Sequence, residues 1–407
     1  MKRNSLDATI LRVPRTVYYL GMLLVAEVSI RPFGLTLSDC AFLLCLVVTL
    51  LIILGGGSPG HLRLPRLFGY GVLLFVAGAG LSSIVSLAPG QSIFQLLVFI
   101  YVTVAWFWLG SFLLQTRRQL YVAALCWIGS CAVVGISAVL QLYVGALPGT
   151  AVLSGRFTGF TQHPNDIGTL SAVALIPALA LASSPLLARK TRLMCWPLIG
   201  AISVGLILSG SVTAYVAVAA GLVAFVFVFH GIPKAQFLIA TMLGASLVLF
   251  FATHPNVLSL FDRVSQVTAL GGGSGYFRLL ALQASWNEVQ QNPIVGVGLD
   301  LPSQAAIIGG GPHAVAFEAW VGAGLLGILG VVLIHVSILR EATALVFRGR
   351  GEYGDHFNSA LLVAFLVFVV CGLSGPYLYV RFGWIAAALV LALRAVTSTN
   401  PDLSVGV

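Results

Sequence analysis

The chain has 407 residues, 59% of them hydrophobic and 8% charged, with a formal net charge of +9. Soluble domains carry about 25% charged residues, so this composition excludes a water-soluble globular protein and makes lipid the natural solvent. The 21 Lys and Arg are scattered in short loops between apolar runs; that excludes a nucleic-acid-binding face and reads as an orientation signal.

Met1–Arg15 is basic and has no cleavage signal after its apolar stretch, so it reads as a lead-in to the first span, not a removable signal peptide. Apolar runs of spanning length then follow one another. They are Thr16–Phe33, Leu37–Leu54, Leu67–Leu87, Ile93–Leu114, Gln119–Tyr143, Asp166–Ser183, Leu193–Leu208 and Val212–Phe229 in the first part of the chain. Lys234–Ala252, His313–Leu339, Phe357–Leu373 and Leu378–Val396 complete a set of about twelve. The expected fold is therefore all-α: a single polytopic membrane domain over residues 1–407, with a long external loop at 253–312 between spans 9 and 10.

Charge tests this order. With a cytoplasmic N-terminus, alternate loops place sixteen Lys and Arg inside and five Arg (Arg31, Arg156, Arg263, Arg278 and Arg381) outside. That bias predicts a bacterial inner-membrane protein with both termini cytoplasmic. The six cysteines form no CxxC pair and lie in or beside apolar runs. They read as small core hydrophobes, with neither disulfide nor metal expected.

Two external segments draw attention. Residues 145–165 hold Gly155-Arg156-Phe157-Thr158-Gly159-Phe160 and then His163-Pro164-Asn165-Asp166, where Asn165 or Asp166 is expected to cap the next helix. The tripeptide His-Pro-Asn recurs at His254 and is read as coincidence. The long loop carries a flexible Gly271–Gly275 stretch and a helix predicted over Tyr276–Gln291. On that helix Phe277, Leu280, Ala281 and Ala284 share a face opposite Asn287, Glu288, Gln290 and Gln291. Asn292-Pro293 stops it, and Gly296 and Gly298 allow tight turns.

The external face retains arginines and no lysine. A guanidinium offers a planar fork of donors matched to phosphate oxygens and keeps its charge. Arg156, Arg278 and Arg381 are the candidate diphosphate ligands, while Arg31 and Arg263 are as readily lipid-headgroup grips. His313, after Gly309–Pro312, can take or position a hydroxyl proton. Glu318 either orients it or meets another partner, and Asn165 is a possible support. Glu27 and Asp39 are intramembrane charges for which pairing with an external arginine and catalysis are equal alternatives. No Walker loop, HExxH, GxSxG or Asp-rich cluster is present, so neither nucleotide hydrolysis nor a protein-built metal site is expected.

Three stretches together resemble the O-antigen ligase and polymerase superfamily of bacterial envelope glycan enzymes. They are Arg156–Phe160 with His163-Pro164-Asn165; Leu208-Ser209-Gly210-Ser211 with Thr213-Ala214; and Arg278 through Trp286 to Asn292–Gly298, followed by Pro312-His313 and Gly324–Gly327. The resemblance implies a metal-independent membrane glycosyltransferase that needs no cofactor. Its donor would be a glycan on an undecaprenyl (polyprenyl) diphosphate carrier, and its acceptor a glycan or lipid hydroxyl. It implies that Arg156 and Arg278 grip the diphosphate and His313 activates the acceptor on the external face. The family often has asparagine after that histidine; here Ala314 stands. A polymerase of O-antigen or exopolysaccharide repeat units is the first reading and a ligase of finished glycan onto lipid A-core the second. A transporter or flippase is the alternative of a different class; it would favour two related halves with broken helices, and no such symmetry is visible in the sequence.

Overall fold

The computed structural model describes residues 10–29, 35–55, 64–145, 152–153, 155–228, 274–308, 311–348 and 356–399. The expected span Lys234–Ala252, His254, the Gly271–Gly273 stretch, Arg31 and Arg263 lie outside them. The described chain is helical apart from one two-residue hairpin. Helices α1 (Arg12–Leu24), α2 (Leu37–Leu54), α3 (Arg66–Val85), α4 (Pro89–Leu113) and α5 (Arg117–Val144) come first. Strands β1 (Val152–Leu153) and β2 (Arg156–Phe157) follow, then α6 (Pro164–Ser183), α7 (Arg189–Ser209) and α8 (Val212–Val223). After the gap come α9 (Ser274–Gln291), α10 (Leu301–Ile308), α11 (Val315–Arg348), α12 (His356–Gly372) and α13 (Arg381–Thr399). Eight of the described helices are long and apolar enough to cross a membrane, and α8 with its π-turn extension and α12 are shorter apolar helices.

Lipid changes what an interior is made of. Without a hydrophobic drive between helices, close backbone approach through small residues holds them together. α6 is the hub: 89% of its crossing window is buried, and α5, α7, α8 and α12 pack around it. Its sequence supplies Gly168, Ser171, Ala172, Ala174, Ala178 and Ala180, so neighbours come close on every side. α3 and α11 meet most tightly of all. A Cβ on Gly71 would stand 2.8 Å from the Gly330 carbonyl oxygen, and one on Gly330 would stand 2.6 Å from that of Gly71. Four of the six cysteines, Cys45, Cys131, Cys195 and Cys371, fill the core, whereas Cys40 is exposed.

Three features depart from the hydropathy reading. α1 covers only Arg12–Leu24, 13 residues, where a span over Thr16–Phe33 is expected. α11 runs on to Arg348, beyond the expected end at Leu339, because a helix need not stop where the bilayer does. Glu341 on that extension pairs with Arg394 of α13 at 2.7 Å. α11 is also broken at Gly324, whose φ of 64° lies in the left-handed region. A break inside a membrane exposes carbonyls that must be satisfied by protein. Here the chain after α9 supplies the partners. Val297 N–H donates to the Val321 carbonyl (2.9 Å), Gly298 N–H to Gly322 (3.1 Å), and Leu325 N–H to Ile294 (3.1 Å). Gly296 and Gly298 there have φ of 77° and 109°, the tight turns expected of them.

α9 begins at Ser274, two residues before the predicted start, and ends at Gln291 as expected. Its apolar side is turned outward and not into the protein. Phe277 (65% exposed), Leu280 and Trp286 face outward, while Ser285 and Glu288 are buried. Glu288 Oε1 accepts a hydrogen bond from Asn292 Nδ2 at 2.6 Å.

Candidate active site at the ends of α6, α8, α9 and α11

The segment that carries Arg156 is pinned to α5. Leu153 pairs with Arg156 in the hairpin, and Phe157 is 2% exposed. Gly159 N–H donates to Gln141 Oε1 (2.7 Å) and Phe160 N–H to Ser137 Oγ (3.0 Å). The backbone therefore delivers Arg156 rigidly. Its Nε donates to the Ser209 carbonyl at 2.6 Å and its Nη2 to Asn165 Oδ1 at 2.5 Å. Arg156 thus ties the start of α6 to the α7–α8 turn, where Gly210 takes the left-handed conformation that ends α7.

The α6 cap differs from expectation. Neither Asn165 nor Asp166 caps the helix; His163 does, its Nδ1 accepting from Asn165 N–H at 3.1 Å. Asn165 instead spends its side-chain oxygen on Arg156. An Nδ1 that accepts implies a neutral ring with its proton on Nε2, which leaves Nε2–H as a donor.

Arg278, on α9, reaches the same place from the long loop. Its Nη1 donates to Thr213 Oγ1 at 3.2 Å, and Thr213 shares a 2.9 Å hydroxyl contact with Ser374. Tyr377, from the α12–α13 connection, accepts from Thr169 Oγ1 (2.9 Å) and donates to the Asn165 carbonyl (3.4 Å). Burial pushes its phenol above the ordinary value, so it stays a donor.

Electrostatics links these groups. The His163 imidazole pKa is lowered by loss of water and then by the positive charges of Arg156, Arg278 and His313. His313 is lowered by loss of water and then by Arg278. Both rings keep an open edge, yet both are held neutral near pH 7 beside two permanent cations. Such a site has donors and positive charge for an anion, and an imidazole free to accept a proton.

The structure brings Arg156, Arg278 and His313 into one neighbourhood around His163 and does not bring Arg381 there. Arg381 Nη2 lies 2.5 Å from Asp39 Oδ2, with the Asp39 side chain 2% exposed. Of the alternatives left open for Asp39, pairing with an arginine, Arg381, is the one seen. Asp39 also completes the capping box of α2 with Thr36. Glu318 likewise has a structural partner: its Oε2 accepts from Leu378 N–H at 3.0 Å, which fastens α11 to the α12–α13 connection.

Sequence reasoning passed over His163, Thr213, Ser374 and Tyr377. His163 had a signal, seven residues after Arg156 in the same motif, but the second His-Pro-Asn masked it. Thr213 lay in the second resembling stretch without a role. Nothing local marks Ser374 or Tyr377, which join the cluster only through tertiary packing.

No curated protein matches the chain. Residues 197–332, about a third of its length, match the family described as O-antigen ligase. The matched stretch contains Ser209, Thr213, Arg278 and His313, while Arg156 and His163 are supplied by the segment before it. Over that stretch the chain is similar to the O-antigen ligase family, and its apolar helices are those of a membrane protein.

Proposed function

We propose that the chain is a glycosyltransferase that moves a glycan from a polyprenyl diphosphate carrier to an acceptor hydroxyl on the external face of the bacterial inner membrane, most readily joining repeat units of an O-antigen or exopolysaccharide. The observation that supports this is the meeting of Arg156 and Arg278 with the imidazoles of His163 and His313, whose pKa values burial and then the nearby positive charges lower. Arg156 and Arg278 hold the diphosphate. The acceptor oxygen attacks the anomeric carbon as its proton passes to His313. The bond from that carbon to the diphosphate oxygen breaks, and its electron pair leaves with the diphosphate. Negative charge grows on the leaving group, and preplaced cations in a water-poor site favour that state over the ground state. His163 contributes the Nε2–H donor. The carrier diphosphate is a good leaving group already, so this route requires no nucleotide. The 253–312 loop carries Arg278, and His313 follows directly after it, so the two flank the headgroup.

The deciding experiment incubates purified protein in detergent with lipid-linked repeat units. Longer lipid-linked glycan and free polyprenyl diphosphate are expected. Unchanged donor with fully folded protein sinks the proposal, since transport alone leaves no product where no compartments exist. Deletion of the gene separates the two transferase readings. Single repeat units on the acceptor mark a polymerase, and full-length chains stranded on the carrier mark a ligase.

A further inference from the structure

A second concentration of positive charge lies at the other end of the bundle. α5 has 28 residues, about 42 Å at 1.5 Å per residue. Its start is therefore a membrane's width from Val144, after which the segment bearing Arg156 begins. Between the starts of α1 and α5 is a cavity of about 440 Å³ whose lining includes Arg12, Arg15, Arg118, Thr116, Gln119 and Val122, with no carboxylate among the described residues. Arg15 Nε donates to the Leu113 carbonyl at 3.0 Å. Among the described residues no acidic side chain pairs with any of the three arginines.

Arg12 and Arg118 are exposed and Arg15 is part-buried, so all three can be reached by a ligand from outside. Three guanidinium groups around one concavity repel each other and raise the local potential unless an anion sits among them. The start of α5, closed by the Thr116–Gln119 capping box, adds the positive end of a long helix at the same place. The surroundings are apolar and outward-facing: Ile10 is 44% exposed, Val13 62% and Val122 36%. A phosphate held here has acyl-chain contacts within reach beside it, which a free phosphate does not use.

We propose that this cavity binds the phosphate headgroup of an anionic phospholipid, on the membrane face opposite the candidate active site. The site is independent of the transfer chemistry. Native mass spectrometry of the full chain released from vesicles of phosphatidylglycerol mixed with phosphatidylcholine tests it. Phosphatidylglycerol is expected to be retained selectively. The double variant Arg12→Gln/Arg118→Gln should lower that retention about 30-fold. Arg66→Gln, at the start of α3 and outside the cavity, should leave it unchanged. Arg118→Lys, which keeps the charge, should retain most of it and guards against misfolding of the double variant. Equal retention of the two lipids, or equal retention by wild type and the double variant, overturns the site. Displacement of the lipid by millimolar inorganic phosphate as effectively as by added phosphatidylglycerol overturns the assignment to lipid.

Discussion

Replacing Arg278 by Gln separates chemistry from stability, because the structure sets the two costs far apart. Arg278 donates one 3.2 Å hydrogen bond to a neutral hydroxyl. Losing it leaves Thr213 still paired with Ser374, so no buried group is orphaned and the stability cost is about 1 kcal/mol. The transition state loses a fixed cation beside the leaving diphosphate. Removing one such preplaced donor costs roughly 2.7–4 kcal/mol of barrier, about 100- to 1000-fold in rate. The assay is glycan transfer at saturating lipid-linked donor, with thermal unfolding followed in the same detergent. A large fall in rate at a nearly unchanged unfolding temperature is expected. A variant within about threefold of the wild-type rate refutes the role given to Arg278, and a rate lost only in proportion to folded protein refutes it equally.

The same variant carries a pH signature. Arg278 lowers the pKa of both His163 and His313, so the neutral bases persist below the ordinary histidine value of about 6.5. The acid limb of kcat/KM should therefore fall below pH 6.5 in the wild type and move to higher pH in Arg278→Gln; an unmoved limb argues against either histidine as the base. Asp39→Asn should strand the partly buried Arg381 and destabilise the fold by about 3–5 kcal/mol, with Asp39→Asn/Arg381→Met recovering much of the loss in a thermal-unfolding double-mutant cycle. Gly71→Leu should separate α3 from α11 and cost at least about 1–3 kcal/mol, read as a lower unfolding temperature. Glu318→Gln keeps an oxygen for the Leu378 amide and should transfer glycan near the wild-type rate, whereas Glu318→Ala leaves that buried amide unpaired and should lower the yield of folded protein by about 1–3 kcal/mol of stability.

Hydropathy located most of the described helices because a membrane demands about 20 apolar residues per crossing. It was silent wherever the chain leaves that rule. The stretch of α11 past Leu339 is polar enough to sit outside lipid, and its Glu341 finds Arg394 across the fold. The break at Gly324 was invisible, since glycine is common in intact membrane helices and only tertiary partners show that the ladder stops there. Arginine type and expected side picked out Arg156 and Arg278, which the structure brings near each other around His163. It failed at Arg381, which has the same signature but spends its charge on a carboxylate 342 residues earlier in the chain. His163 illustrates the converse: its role rests on one nitrogen closing the first turn of α6, a commitment that no spacing rule records.

The stitched break in α11 has a mechanical consequence. Three amide–carbonyl bonds weld the chain leaving α9 to the joint between the two halves of α11, so the arm bearing Arg278 and the short front rod that follows His313 share one rivet. Neither can travel far without dragging the other. Donor capture on the first would then be felt as alignment of the second, and an acceptor arriving before the donor would find its base set back from its working place.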